Sequence, residues 1–172
     1  MAIVTTTYAA DAAITVTTWE GLATVKWATS AAFDNTSTQY VDVLVGGAIA
    51  GDTTTGVIAA GEKFLIYVSA CYDKDTVSYT GGIGTAFDAG DATLTQDTEF
   101  TPLNLKLLEI VSVEATAPDV DQAYNWGPVS IAAAFGGVVP QKFMLVLYNG
   151  TGASTKTSGM IVNAVGIQYT ST

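Results

Sequence analysis

Between Lys63 and Ala70 the chain alternates, with Phe64, Ile66, Val68 and Ala70 on one side of an extended strand and Lys63, Leu65, Tyr67 and Ser69 on the other. The same period recurs at 161–169, where Ile161, Asn163, Val165, Ile167 and Tyr169 alternate with Val162, Ala164, Gly166 and Gln168. Residues 39–45 alternate in part, Val41, Val43 and Val45 facing opposite Asp42. Residues 143–148 are apolar on both faces, the pattern of a fully buried strand, and 103–113 are nearly so. Shorter apolar segments at 14–18, 22–29 and 128–134 complete the set, although 132–135 also suits one helical turn. Turn chemistry separates them: Asp34-Asn35, Gly46-Gly47, Gly51-Asp52, Gly81-Gly82, Asp88 to Asp91, Gly136-Gly137 and Asn149-Gly150. These eight strands predict an all-β, single-domain antiparallel β-sandwich over 1–172, a jelly roll first and an immunoglobulin-like sandwich second.

Two stretches stand outside this core pattern. Residues 1–13 are extended and threonine-rich, which suits an N-terminal arm reaching a neighbouring subunit or a frayed end. Residues 72–101 form a long acidic, glycine-containing loop or insertion, with a short hairpin conceivable at 76–80.

Charge narrows the function. Sixteen acidic residues face six basic ones, for a net charge of −10, and all six are lysines. Without arginine, bidentate phosphate and base contacts are missing, which argues against nucleic acid as a partner. Without histidine, the commonest general acid/base and metal ligand is missing too. Cys71, the single cysteine, lies in an apolar run and reads as a buried small hydrophobe. The N-terminus has neither a basic region nor a continuous apolar run, so a signal peptide is not expected, nor is a membrane span.

Candidate chemistry is thin. The acid pairs Asp73/Asp75, Asp88/Asp91, Asp97/Glu99 and Asp119/Asp121 match no complete calcium loop and read as solvated loops. Nothing places them across a cleft as a glycosidase requires. Gly81 to Gly84 lacks the Lys-Ser/Thr of a phosphate loop, and no Gly-x-Ser-x-Gly elbow occurs. Trp19, Trp27 and Trp126 could stack on a sugar, but aromatic residues in strands more often fill a core or an interface. Asn35-Thr-Ser and Asn149-Gly-Thr fit the glycosylation pattern incidentally. No catalytic residue, cofactor or metal site is expected.

The run Leu105-Lys-Leu-Leu-Glu-Ile-Val-Ser-Val is followed by an Ala/Thr stretch and then Tyr124-Asn-Trp-Gly-Pro-Val-Ser. Ala132-Ala-Ala-Phe-Gly-Gly-Val-Val-Pro and Phe143-Met-Leu-Val-Leu-Tyr-Asn-Gly-Thr-Gly come next. In that order they resemble small jelly-roll-like virion structural proteins of tailed bacteriophages, of the kind that decorate or cement the head. The resemblance implies a non-enzymatic capsid decoration protein, made in the bacterial cytoplasm and carried on the capsid surface. Its implied partners are the major capsid protein and itself, as a homo-oligomer such as a trimer. A tail, neck or baseplate protein, or a receptor- or carbohydrate-binding module, are the alternatives. Contacts are expected from the arm (Ile3, Val4, Tyr8) and the acidic loop (Tyr79, Phe87, Phe100). Within the motif, Trp126-Gly127-Pro128 reads as a strand end and corner with Gly127 held extended, and Asn149-Gly150 as the start of a turn.

Overall fold

A computed structural model of the chain describes residues 4–71, 78–79, 87–88, 93–94, 105–113 and 122–171. Its strands are β1 (Val4–Tyr8), β2 (Ala12–Ala13), β3 (Lys26–Thr29), β4 (Phe33–Asp34), β5 (Asp42–Gly51), β6 (Lys63–Cys71) and β7 (Ser78–Tyr79). They continue as β8 (Phe87–Asp88), β9 (Thr93–Leu94), β10 (Lys106–Ser112), β11 (Gln122–Ser130), β12 (Lys142–Gly150) and β13 (Ile161–Ser171). One 3-10 turn, Thr17–Trp19, and one helical turn, α1 (Ile131–Ala134), interrupt them.

The first sheet runs β1-β13-β5-β11, with β2 also on β13; the second runs β10-β6-β12-β3-β9, with β4 also on β12. Every described pairing is antiparallel. The two sheets form a β-sandwich. Between them Val43, Val45, Ile49, Val162, Ala164 and Trp126 of the first sheet meet Phe64, Ile66, Val68, Phe143, Leu145 and Leu147 of the second. Phe64 and Tyr124 meet across the layers, ring centroids 5.9 Å apart. The apolar run at 143–148 is explained by its position: Phe143, Leu145 and Leu147 face this core, while Met144 and Val146 are buried on the sheet's other side with Trp27, Cys71 and Leu105. Trp27 packs there between Tyr67 and Tyr148, at 5.5 and 4.6 Å, and burial, then the neighbouring Tyr148, raises the Tyr67 phenol pKa. Cys71 is buried as expected.

Some expected turns are absent. Gly46-Gly47 lies inside β5, because side chains there would collide with neighbouring strands. Asn149-Gly150, by contrast, closes β12 and starts the turn into the following loop as expected, the Asn149 side-chain carbonyl accepting from the Thr151 amide at 3.0 Å. The strand β11 does not end at Trp126; it bulges between Trp126 and Val129, and Gly127 takes φ +74 rather than an extended conformation, with a cis bond to Pro128. Residues 131–134 are helical, with Ser130 capping by accepting from the Ala133 amide at 2.9 Å. Residues 14–18 form no strand, since the chain there curls into the 3-10 turn that buries Trp19. Gly136-Gly137 does turn, at φ +73 and +97. No helix among the described residues is long and apolar enough to cross a membrane.

Candidate assembly surface

The strand β13 decides which side of the first sheet is free. Its small row is buried, Val162 and Ala164 in the core between the sheets and Gly166 beneath the Tyr40 ring, so the bulky row faces outward. Ile161 and Tyr169 are 53% and 64% exposed, with Asn163, Val165 and Ile167 between them partly covered. Pairing carries this row sideways: Ile161 lies opposite Ala48, Val165 opposite Leu44, Tyr169 opposite Thr6 and Ile167 opposite Tyr8. Val4 and Tyr8 are themselves 66% and 63% exposed. Between β5, β11 and β13 the face holds a groove of about 400 Å³, lined by Leu44, Gly46, Pro128, Asn163 and Val165.

This sheet is almost uncharged. Its strands β1, β2, β5, β11 and β13 contain one charged residue, Asp42. That carboxylate is occupied internally, accepting from the Ser130 hydroxyl at 2.7 Å and from the Val43 and Ala132 amides at 2.7 and 2.9 Å. From Gln122 to the C-terminus there is no acidic residue, so the whole acidic excess lies in residues 11–121. A chain with net charge −10 thus carries a broad neutral, apolar face.

One end of this sheet extends past the sandwich. Ile167 is the last β13 residue to pair with β5; residues 168–171 pair with β1 alone. Every residue of β1 is exposed. Threonine hydroxyls lace the ribbon, Thr5 to Thr170 at 2.8 Å and Thr7 to Thr170 at 3.3 Å.

Of the residues expected to make contacts, Val4 and Tyr8 therefore lie on this face. Their segment is not a free arm, because β1 and β2 pair with the chain's own β13. Tyr79 and Phe87 lie opposite one another in the separate β7–β8 ladder. Ile3, Phe100 and the acid pairs other than Asp88 lie outside the described residues. Ile161, Ile167 and Tyr169 were missed as contact candidates; their alternation was visible, but not which side faced outward. Trp19, Trp27 and Trp126 are all buried, so they make no exposed stacking platform.

A second, more polar groove of about 380 Å³ lies between the β4–β5 turn and the loop before β12, beside Asn35, Gln39, Tyr40, Val138 and Gln141. Buried Asn35 builds it, accepting from the Tyr40 amide at 2.8 Å and donating to the Tyr40 carbonyl at 3.2 Å. Next to it, the Thr36 hydroxyl and amide donate to Asp34 and hold its carboxyl below the usual range.

No family model, no curated protein sequence and no solved structure matches the chain.

Proposed function

We propose that this chain is a non-enzymatic structural protein of a tailed-bacteriophage virion, one that decorates the head and stabilises its shell through protein–protein contacts. The observation that carries this reading is the neutral, apolar outer face of the first sheet on an otherwise acidic chain. A protein that adds buried interface between capsomers needs apolar area and strand edges, not polar chemistry. The acidic remainder keeps free copies soluble and repels DNA. The phage-like motif at 105–152 supports the same reading: in the fold it supplies β11, a strand of this sheet, together with α1 and two strands of the opposite sheet, β10 and β12.

Quantitative mass spectrometry of purified particles tests it. The expected result is a copy number comparable to that of the major capsid protein; a few copies per particle would overturn it in favour of a tail, neck or baseplate position. The groove beside Asn35, Gln39, Tyr40 and Gln141 favours a second reading, a carbohydrate- or receptor-binding module, since side-chain amides and a tyrosine ring suit a neutral sugar. On a glycan array that reading expects a binder weakened by Gln141→Ala, and the decoration reading expects none.

A further inference from the structure

We propose that β1 is an edge for strand addition by a second copy of this chain, the two β1 strands pairing antiparallel about a two-fold axis. The Ala9 amide donates to the carbonyl of Gly166 at 2.8 Å, and Ala9 lies directly opposite Gly166 in the register that pairs Tyr8 with Ile167. Backbone groups in an antiparallel strand alternate sides, so those of Thr5 and Thr7 point to β13 and those of Val4, Thr6 and Tyr8 point to the open edge. Among the described residues nothing pairs with that edge.

Exposed edges are ordinarily blunted by lysine, proline, inward charge or a bulge. Residues 4–10 contain no charged residue and no proline, and β1 pairs with β13 without a register shift. Charge selects the occupant. Two copies at −10 repel one another, and the β1–β13 ribbon adds no charge of its own to that repulsion, because residues 4–10 and 161–172 are uncharged. A basic partner would find nothing to attract it here. An antiparallel edge is moreover complementary to itself, as a two-fold contact requires. Centring the axis on Thr6 sets Thr6 opposite its counterpart and Val4 opposite the second copy's Tyr8, a β-branched residue against an aromatic one. The two first sheets would then join into one continuous sheet, with the two apolar outer faces side by side. The pairing rests on this geometry and not on the particle proposed above.

The test is sedimentation equilibrium of the purified chain over a wide concentration range, with Thr6→Pro and Thr6→Asp beside the wild type. The wild type is expected to dimerise. Thr6→Pro removes an amide that points to the open edge, which an edge strand tolerates, so it should stay folded by circular dichroism while its dimer dissociation constant rises about a hundredfold. Thr6→Asp, at an exposed position, sets two like charges face to face at the axis and should act in the same direction. A wild type that stays monomeric, a trimer, or a dimer that survives both substitutions overturns the proposal. None of those results would alter the particle copy number, so the decoration reading stands or falls separately.

Discussion

Alanine at Asn149 is expected to lower the unfolding free energy by about 3 kcal/mol, and the melting temperature by roughly 10 °C. Asn149 is fully buried at the end of β12. Its side-chain amide donates to the carbonyls of Leu22 and Ala153, both at 2.9 Å, and its side-chain carbonyl accepts from the Thr151 amide at 3.0 Å and hydroxyl at 2.8 Å. All four of its hydrogen-bonding positions are thus used inside the protein. Leu22 and Ala153 each keep another donor after the substitution, Thr155 and Thr151 respectively, so the Thr151 amide bears the main loss. Asn149→Asp should be worse at neutral pH, since a buried carboxylate would face two carbonyl oxygens and donate to neither. Its carboxyl pKa in the folded state would be raised, so the extra penalty should shrink as pH falls through that value and vanish below the unfolded pKa. Urea titrations at neutral and acid pH measure both effects. A loss under about 1 kcal/mol for Asn149→Ala would mean that the loop after β12 is held by other contacts.

Asn149 also shows where sequence reasoning stops. Asn-Gly is the standard turn pair, and here it closes β12 and starts the next loop, its side-chain carbonyl accepting from the Thr151 amide two residues on; what was not legible is that its side-chain amide donates to Leu22, far away in sequence, and to Ala153. The long strands β6 and β12 were legible because their apolar residues serve both sides of one sheet, and β13 because its alternation is clean. Which row of β13 faces solvent was not legible. That choice depends on side chains more than a dozen residues away in sequence: the phenylalanines and leucines of the opposite sheet cover Val162 and Ala164, and the Tyr40 ring covers Gly166. Val4 and Tyr8 were singled out as contact candidates from the extended, threonine-rich look of residues 1–13; their pairing with β13 was not, since antiparallel pairing of two segments so far apart in sequence leaves no local pattern.

The distribution of charge connects these points to function. Net charge alone says that the chain repels DNA and other acidic surfaces. The fold adds that the charge is segregated: the strands of one sheet hold Asp42 and no other charged residue, and Asp42, partly covered on the outer row opposite Ile167, spends its carboxylate on Ser130, Val43 and Ala132. Ile161, Tyr169, Val4 and Tyr8 are exposed on that face, and they are the apolar area that the proposed assembly would bury.

Gly47→Ala is expected to cost about 3 kcal/mol, at the upper end for adding one methyl group to a packed site. A Cβ on Gly47 would run into the carbonyl oxygen of Ile161 and lie 2.8 Å from its carbon and 3.0 Å from the Val162 Cα. These are backbone atoms of β13, which cannot rotate aside as a side chain would, so β5 and β13 must separate where Val162 pairs with Gly47. The same point pairs with Trp126 on the other side, so a shift toward β11 is opposed as well. Gly136→Ala supplies the comparison. A Cβ there meets nothing within 4 Å, and only the positive φ of +73 resists it, at about 1 kcal/mol. Thermal melts of the two variants separate collision from conformational preference: equal losses would show that β5 and β13 yield easily, and a threefold difference would show that close approach of the two strands is what requires glycine at 47, in the middle of a strand where sequence alone suggests a turn.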